Sequence, residues 1–118
     1  MSDGTLRLLG LLLALYQRDT PGFLAIEEPE ATIHVAALQA LIEIFKARSD
    51  SSQIVLTTHS ADILDSIDPD AIYLVTAEGG HSTLAGLAES TKHAVQEALF
   101  LPGELLRSGA LEPSTAPV

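Results

Sequence analysis

The chain contains no cysteine and no tryptophan. Without cysteine there is neither a disulfide framework nor a thiolate metal site, and a reducing compartment suits the composition. Two tyrosines and three phenylalanines are the only aromatics, too few for a base-stacking platform. Basic residues are scarce as well: six against sixteen acidic ones, a net charge of -10. Such a surface repels phosphate backbones and anionic membranes, so these residues alone make a poor nucleic-acid binder. The only lysines, Lys46 and Lys92, follow Phe45 and Thr91, so no Gly-Lys pair exists. A phosphate-cradling G-x-x-x-x-G-K-[ST] loop is therefore absent. Long apolar runs are missing too. Leu6 to Tyr16 is broken by Arg7 and Gly10 and ended by Gln17, Arg18 and Asp19, short of the roughly 20 residues that span a bilayer. Asp3 near its start, and no small-x-small pattern after Tyr16, argue against a secretory signal.

What is present points to one globular domain. At 118 residues the chain is at most one domain, and a domain of this size buries roughly two-thirds of its unfolded surface. Apolar residues make up 47%, too many for a disordered chain. Two segments stand out: Phe23-Leu-Ala-Ile-Glu27-Glu28-Pro29-Glu30 and Ile54-Val-Leu-Thr57-Thr58-His59-Ser60. Each is a short apolar run that stops abruptly in chargeable or hydroxyl-bearing residues, the pattern of a buried strand with a polar tip. Val35 to Arg48 between them has helical length and composition. A strand–helix–strand crossover is almost always right-handed and makes the two strands parallel. Both polar tips then share one sheet edge, where open α/β sheets hold ligands.

The remaining elements follow from caps and breakers. Ser2 or Asp3 suits the N-cap of a first helix through Tyr16, which, apolar nearly all round, is expected to be buried on most sides. Asp19-Thr-Pro21-Gly22 breaks the chain before the first strand. Ser60 or Asp62 caps a short helix through Ile63 and Leu64 that ends at Asp68-Pro69. Ala71 to Thr76 reads as a strand, and Glu78-Gly79-Gly80-His81 as a hairpin turn into Ser82 to Ala85. Lys92 to Phe100 reads as a helix with Ala94, Val95, Ala98 and Leu99 on one face, interrupted by Pro102-Gly103 before a short helix at Glu104 to Arg107. Glu112 to Val118 has the composition of a loose tail.

Ser2-Asp3-Gly4-Thr5 ahead of a leucine-rich helix, then Ile26-Glu27-Glu28-Pro29-Glu30, then Thr57-Thr58-His59-Ser60, resembles the carboxyl-terminal half of an ATP-binding-cassette ATPase. The nearest flavour is the RecF-like and overcoming-lysogenization-defect-like "AAA" ATPases, relatives of the structural-maintenance-of-chromosomes (SMC) heads. The resemblance covers residues 1–77 firmly and Gln96 to Leu111 loosely. It implies a partial P-loop NTPase fold: α/β, a parallel sheet with flanking helices and a C-terminal β-hairpin, three-layered when complete. Residues 1–111 would be the C-terminal half of the ATPase domain and 112–118 a flexible tail. Glu27 matches the Walker B acid that holds Mg²⁺ through water. Glu28 matches the acid that polarises the attacking water, and His59 the switch histidine at the γ-phosphate. Adjacent strand residues point to opposite sides, so the two acids would serve different points. Ser2 and Gly4 match the signature motif, which reaches ATP across a dimer, where a hydroxyl and helix-start amides suit an anion. Glu30 falls in the D-loop at that same interface. Met1 stands where the signature usually has leucine.

Each assignment has a plainer counterpart. Glu27 and Glu28 would otherwise be a solvated strand end, His59 a cap for the next helix, and Ser2 a simple N-cap. His34 reads as structural, and His81 and His93 as solvent-exposed. Taking Glu27, Glu28, Glu30, His34 and His59 as a transition-metal hydrolase site fits no helix-based zinc spacing. Two functions follow. In the first, the chain is part of a cytoplasmic ATPase, using ATP and Mg²⁺ only with a Walker A half or second subunit, as a homodimer or oligomer. DNA would enter only through the complete protein, and no membrane is involved. In the second, the chain is a catalytically inert interaction module.

Overall fold

A computed structural model describes residues 2–19 and 22–115. The expectations for Met1, for Thr20 and Pro21 in the first break, and for the last three tail residues lie outside the described residues. The chain divides into two compact units, Met1–His59 and Ser60–Val118.

The first unit holds α1 (Asp3–Tyr16), β1 (Phe23–Glu27), a 3-10 turn (Pro29–Ala31), α2 (Val35–Arg48) and β2 (Gln53–Thr57). As expected, β1 and β2 pair in parallel, in register from Phe23↔Gln53 to Glu27↔Thr57. β2 begins one residue before the apolar run at Ile54, because the Gln53 N–H already donates to Gly22 O. Leu38, Leu41, Ile42 and Phe45 are buried along one face of α2, the i, i+3, i+4, i+7 stripe of a helix on a core. Leu15, Ile26 and Ile33 complete that core. The pleat sends Phe23 and Val55 to the other face, where both stay about half exposed (56% and 46%).

α1 departs from expectation. Only Leu15 is buried, whereas Leu6, Leu9, Leu13 and Tyr16 are exposed. A two-stranded sheet with one covering helix offers too little apolar surface to enclose a second helix all round.

The second unit holds α3 (Ala61–Leu64), a 3-10 turn (Pro69–Ala71), β3 (Tyr73–Glu78), β4 (His81–Gly86), α4 (Glu89–Gln96) and α5 (Pro102–Ser108). β3 and β4 form the expected antiparallel hairpin, closing at Glu78↔His81. Gly79 and Gly80 take φ of +57° and +81°, the backbone a two-residue I′ turn demands. β3 starts two residues later than expected because Asp68 accepts the Asp70 amide and spends Pro69–Ala71 on a turn. Leu64, Ile72 and Leu87 form its core.

α4 also differs: it starts earlier and ends before Ala98, which takes φ +55°. The Leu99 N–H reaches back to Ala94 O and the Ala98 N–H to Val95 O, a Schellman ending. Leu99 and Phe100 are thereby turned out to solvent instead of continuing a helical face. Pro102 then opens α5 instead of interrupting a helix, since its missing N–H is no loss at a first helical position. Glu112 to Ser114, expected to be loose, run beside β4: Ala88 N–H donates to Glu112 O (2.9 Å) and Ser114 N–H to Gly86 O (2.6 Å). Among the described residues, no helix is long and apolar enough to cross a membrane.

Candidate functional site

The parallel register brings the ends of β1 and β2 side by side, with Glu27 opposite Thr57. Glu27 is exposed, and its carboxylate has no partner among the described residues. Glu28 ends the strand in an unexpected way. Its N–H donates to Thr57 O (3.0 Å) and reaches Thr57 Oγ1 (3.3 Å), and its backbone then enters the left-handed region at φ 39°, ψ 63°. Non-glycine residues rarely sit there, and such strain collects at working sites. The two acids therefore part because Glu28 leaves the strand, not through the alternation of an unbroken pleat. Pro29, buried, starts the 3-10 turn immediately afterwards.

That kink carries the Glu28 carboxylate to His59, with Oε1 3.4 Å from Nε2. The His59 side chain is 88% exposed, and α3 takes Ser60, not His59, as its N-cap. Glu30 lies between the two strand ends. Its Oε1 accepts the Thr58 hydroxyl (2.7 Å) and the His59 amide (2.8 Å). Burial alone would raise the Glu30 carboxyl. The bonds from Thr58, its own backbone amide and the His59 amide, with the nearby His59 charge, together outweigh burial and hold it below its ordinary value.

α1 borders the same loop. Ser2 caps it, its Oγ accepting the Thr5 amide (3.3 Å) and sharing a hydrogen bond with Thr5 Oγ1 (2.8 Å). A Cβ on Gly4 would lie 2.1 Å from Thr32 O, so glycine is what lets the helix start against the backbone after the acids. Arg7 donates to Glu27 O and, at 3.4 Å, to Thr32 Oγ1.

The structure thus gathers Glu28, Glu30 and His59, flanks them with Glu27, and sets Gly4 against Thr32. The Ser2 hydroxyl is engaged locally. Among the described residues, no three His, Asp or Glu side chains group to hold a metal ion. His34 caps α2 through Nδ1 (3.4 Å from the Ala36 amide). His81 is exposed, and His93 pairs with Glu97 at 3.4 Å. Sequence reasoning missed Arg7 and Thr58. A lone charge in an otherwise apolar helix was a usable signal for Arg7, whereas nothing local distinguishes Thr58 from Thr57.

The model of the family described as "AAA domain, putative AbiEii toxin, Type IV TA system" matches residues 1–65. Two solved structures share the fold. One comes from work on ATP-driven dimerization and DNA-stimulated activation of SMC ATPases: 21% identity, TM-score 0.63, 84% of this chain against 62% of that one. The other is the Smc head domain with a coiled coil and joint derived from Pyrococcus yayanosii, at 22% identity and TM-score 0.62, covering 84% of this chain and 19% of that one. Each likeness shows the P-loop NTPase fold of SMC ATPase heads, and the chain spans less than two-thirds of either. No curated protein matches it.

Proposed function

The chain belongs to this AAA-domain family, and on that premise we propose that it supplies the signature, acid and histidine elements of a site that hydrolyses ATP. The Glu28–His59 pairing at 3.4 Å carries this reading. It joins an acid and a histidine from two strand ends at the ligand-binding edge of a parallel sheet. Glu28 serves as the base that polarises the attacking water, and His59 holds Glu28 and faces the γ-phosphate. Glu27 holds Mg²⁺ through water. An exposed carboxylate without an internal partner suits a hard cation that keeps most of its waters and shares phosphate oxygens. The ion neutralises phosphate charge. Ser2 and Gly4, at the start of α1, offer a hydroxyl and amides to the γ-phosphate bound by a second subunit.

The phosphate-cradling loop comes from outside these 118 residues, because the sequence has no Gly-Lys pair. The working form is then a dimer or larger assembly in the cytoplasm, which the exposed Phe23 and Val55 favour. DNA, named for the matched SMC ATPases, acts only through the complete protein.

The test measures ATP binding and turnover with the loop-bearing partner supplied. Glu28→Gln is expected to keep ATP binding and lower turnover by at least about a hundredfold, the scale of a lost general base. Glu27→Gln is expected to weaken Mg²⁺-dependent binding. Equal behaviour of the two variants, or a Glu28→Gln protein with most of its activity, would overturn the division of roles. The chain alone is expected to bind Mg·ATP more weakly than about 1 mM, and micromolar affinity by calorimetry would contradict the need for a partner.

A further inference from the structure

Glu30 occupies a loop that the family resemblance assigns to a subunit interface, yet its carboxylate is engaged within its own chain. Oε1 takes both the Thr58 hydroxyl and the His59 amide, while Oε2 is buried without a partner. The turn that presents Glu30 is stiff: Pro29 fixes its first φ, and the Ala31 N–H closes it onto Glu28 O at 3.1 Å. One short turn therefore offers Glu28 to the imidazole of His59 and Glu30 to its backbone. We propose that Glu30 is a positioning residue that acts through His59, pinning the β2 tip so that the imidazole meets Glu28.

The proposal rests on the roles given above to Glu28 and His59. Geometry favours the clamp over a direct ligand role. An oxygen already accepting two bonds has little left for a cation or a partner, and its neighbour oxygen is closed to solvent. Bonds to a charged acceptor are also about twice as strong as neutral ones, and the lowered Glu30 carboxyl is charged at neutral pH.

Two readouts test it, and the first needs no ATP. In the chain itself, hydrogen exchange at the His59 amide is compared among the wild type, Glu30→Gln and Glu30→Ala. Glu30→Ala is expected to lose the protection and Glu30→Gln to keep it, because the amide oxygen accepts the same two bonds. In the ATPase completed with its loop-bearing partner, Glu30→Ala is expected to lower kcat by about tenfold or more with KM unchanged, as misplacement of a reacting group does. Glu30→Gln should restore most of it. Protection that survives in Glu30→Ala, or a Glu30→Gln variant as impaired as Glu30→Ala, would overturn the clamp and leave a direct role for the charge. Should Glu30→Ala fail to fold, Thr58→Val and Glu30→Gln give the same comparison from the two sides of the bond. Because the exchange readout is independent of turnover, a failure of the catalytic roles leaves the clamp separately decided.

Discussion

The two units each contain a two-stranded sheet, and only one of them gathers polar residues at a common strand edge. In the first, β1 and β2 run parallel, so their carboxyl ends lie together and whatever follows each strand meets there. Glu27, Glu28, Thr58 and His59 are those residues. In the second, β3 and β4 run antiparallel, so the end of one strand lies beside the start of the other across a Gly-Gly turn. Nothing accumulates at a common edge. Its polar residues form scattered ion pairs instead, such as Lys92 with Asp70 (2.9 Å) and Glu89 (3.2 Å). Strand direction decides where chemistry can gather. The parallel arrangement needs a crossover, α2, and so the site depends on the packing of that helix.

The largest expected effect tests this dependence. Leu41, 1% exposed in α2, and Leu87, fully buried in the second unit, are both core leucines. Truncating either to alanine should cost about 2–5 kcal/mol by chemical denaturation. Only Leu41→Ala should also strip exchange protection from the His59 amide, since α2 holds the two strand ends in register. The contrast breaks if Leu87→Ala strips it equally. It sharpens if Leu84→Ala, on the exposed face of β4, stays within about 0.5 kcal/mol of the parent.

Much of this arrangement was legible in the sequence because it is written in short-range pattern. Apolar runs ending in Glu27-Glu28 and Thr57-Thr58-His59, a helical stripe between them, and Gly79-Gly80 suffice for the parallel pair and the hairpin. What was hidden depends on residues far apart in the chain. Glu30 meets Thr58 and His59, and Arg7 meets Glu27 and Thr32, and no local propensity encodes either. The exposure of Leu6, Leu9 and Leu13 was hidden for a different reason. Periodicity says which residues are apolar and not whether a partner is there to cover them. The end of α4 was misread because alanine is a helix former, and only the backbone shows Ala98 in the left-handed region.

That residue gives a finer comparison. Glu28 and Ala98, one in each unit, are the non-glycine residues with positive φ among the described residues. Gly109 at the end of α5 takes the same kind of position with φ +70°. Ala98→Gly should therefore stabilise by about 1 kcal/mol, with ATP turnover of the assembled protein unchanged. Glu28→Gly should stabilise comparably and, on the role proposed for Glu28, abolish turnover because it removes the carboxylate. A destabilised Glu28→Gly variant would show that its contacts outweigh its backbone strain.

The smallest expected effect separates the units by pH. Glu30 has a folded carboxyl below its ordinary value, the burial that would raise it being outweighed by its hydrogen bonds to Thr58 and to backbone amides. The folded state thus holds its proton more weakly than the unfolded chain. Its contribution is fully present above the ordinary carboxylate range and is lost as pH falls through the lowered value. Lys92 is the reverse, raised chiefly by its hydrogen bond to Asp70 and then Glu89. Its contribution is fully present below the ordinary lysine range and is lost as pH rises through the raised value. Acid below about pH 4 should therefore loosen the first unit first, and base above about pH 10 the second. The partners of Lys92, Asp70 and Glu89, are exposed, so screening keeps its effect modest and salt-sensitive. Amide signals from each unit, followed through both limbs, provide the measurement. Glu30→Gln should flatten only the acid limb and Lys92→Gln only the basic one. If either substitution altered both limbs, the two units would be sharing one titration, and the division between a site-building and a self-contained half would not hold.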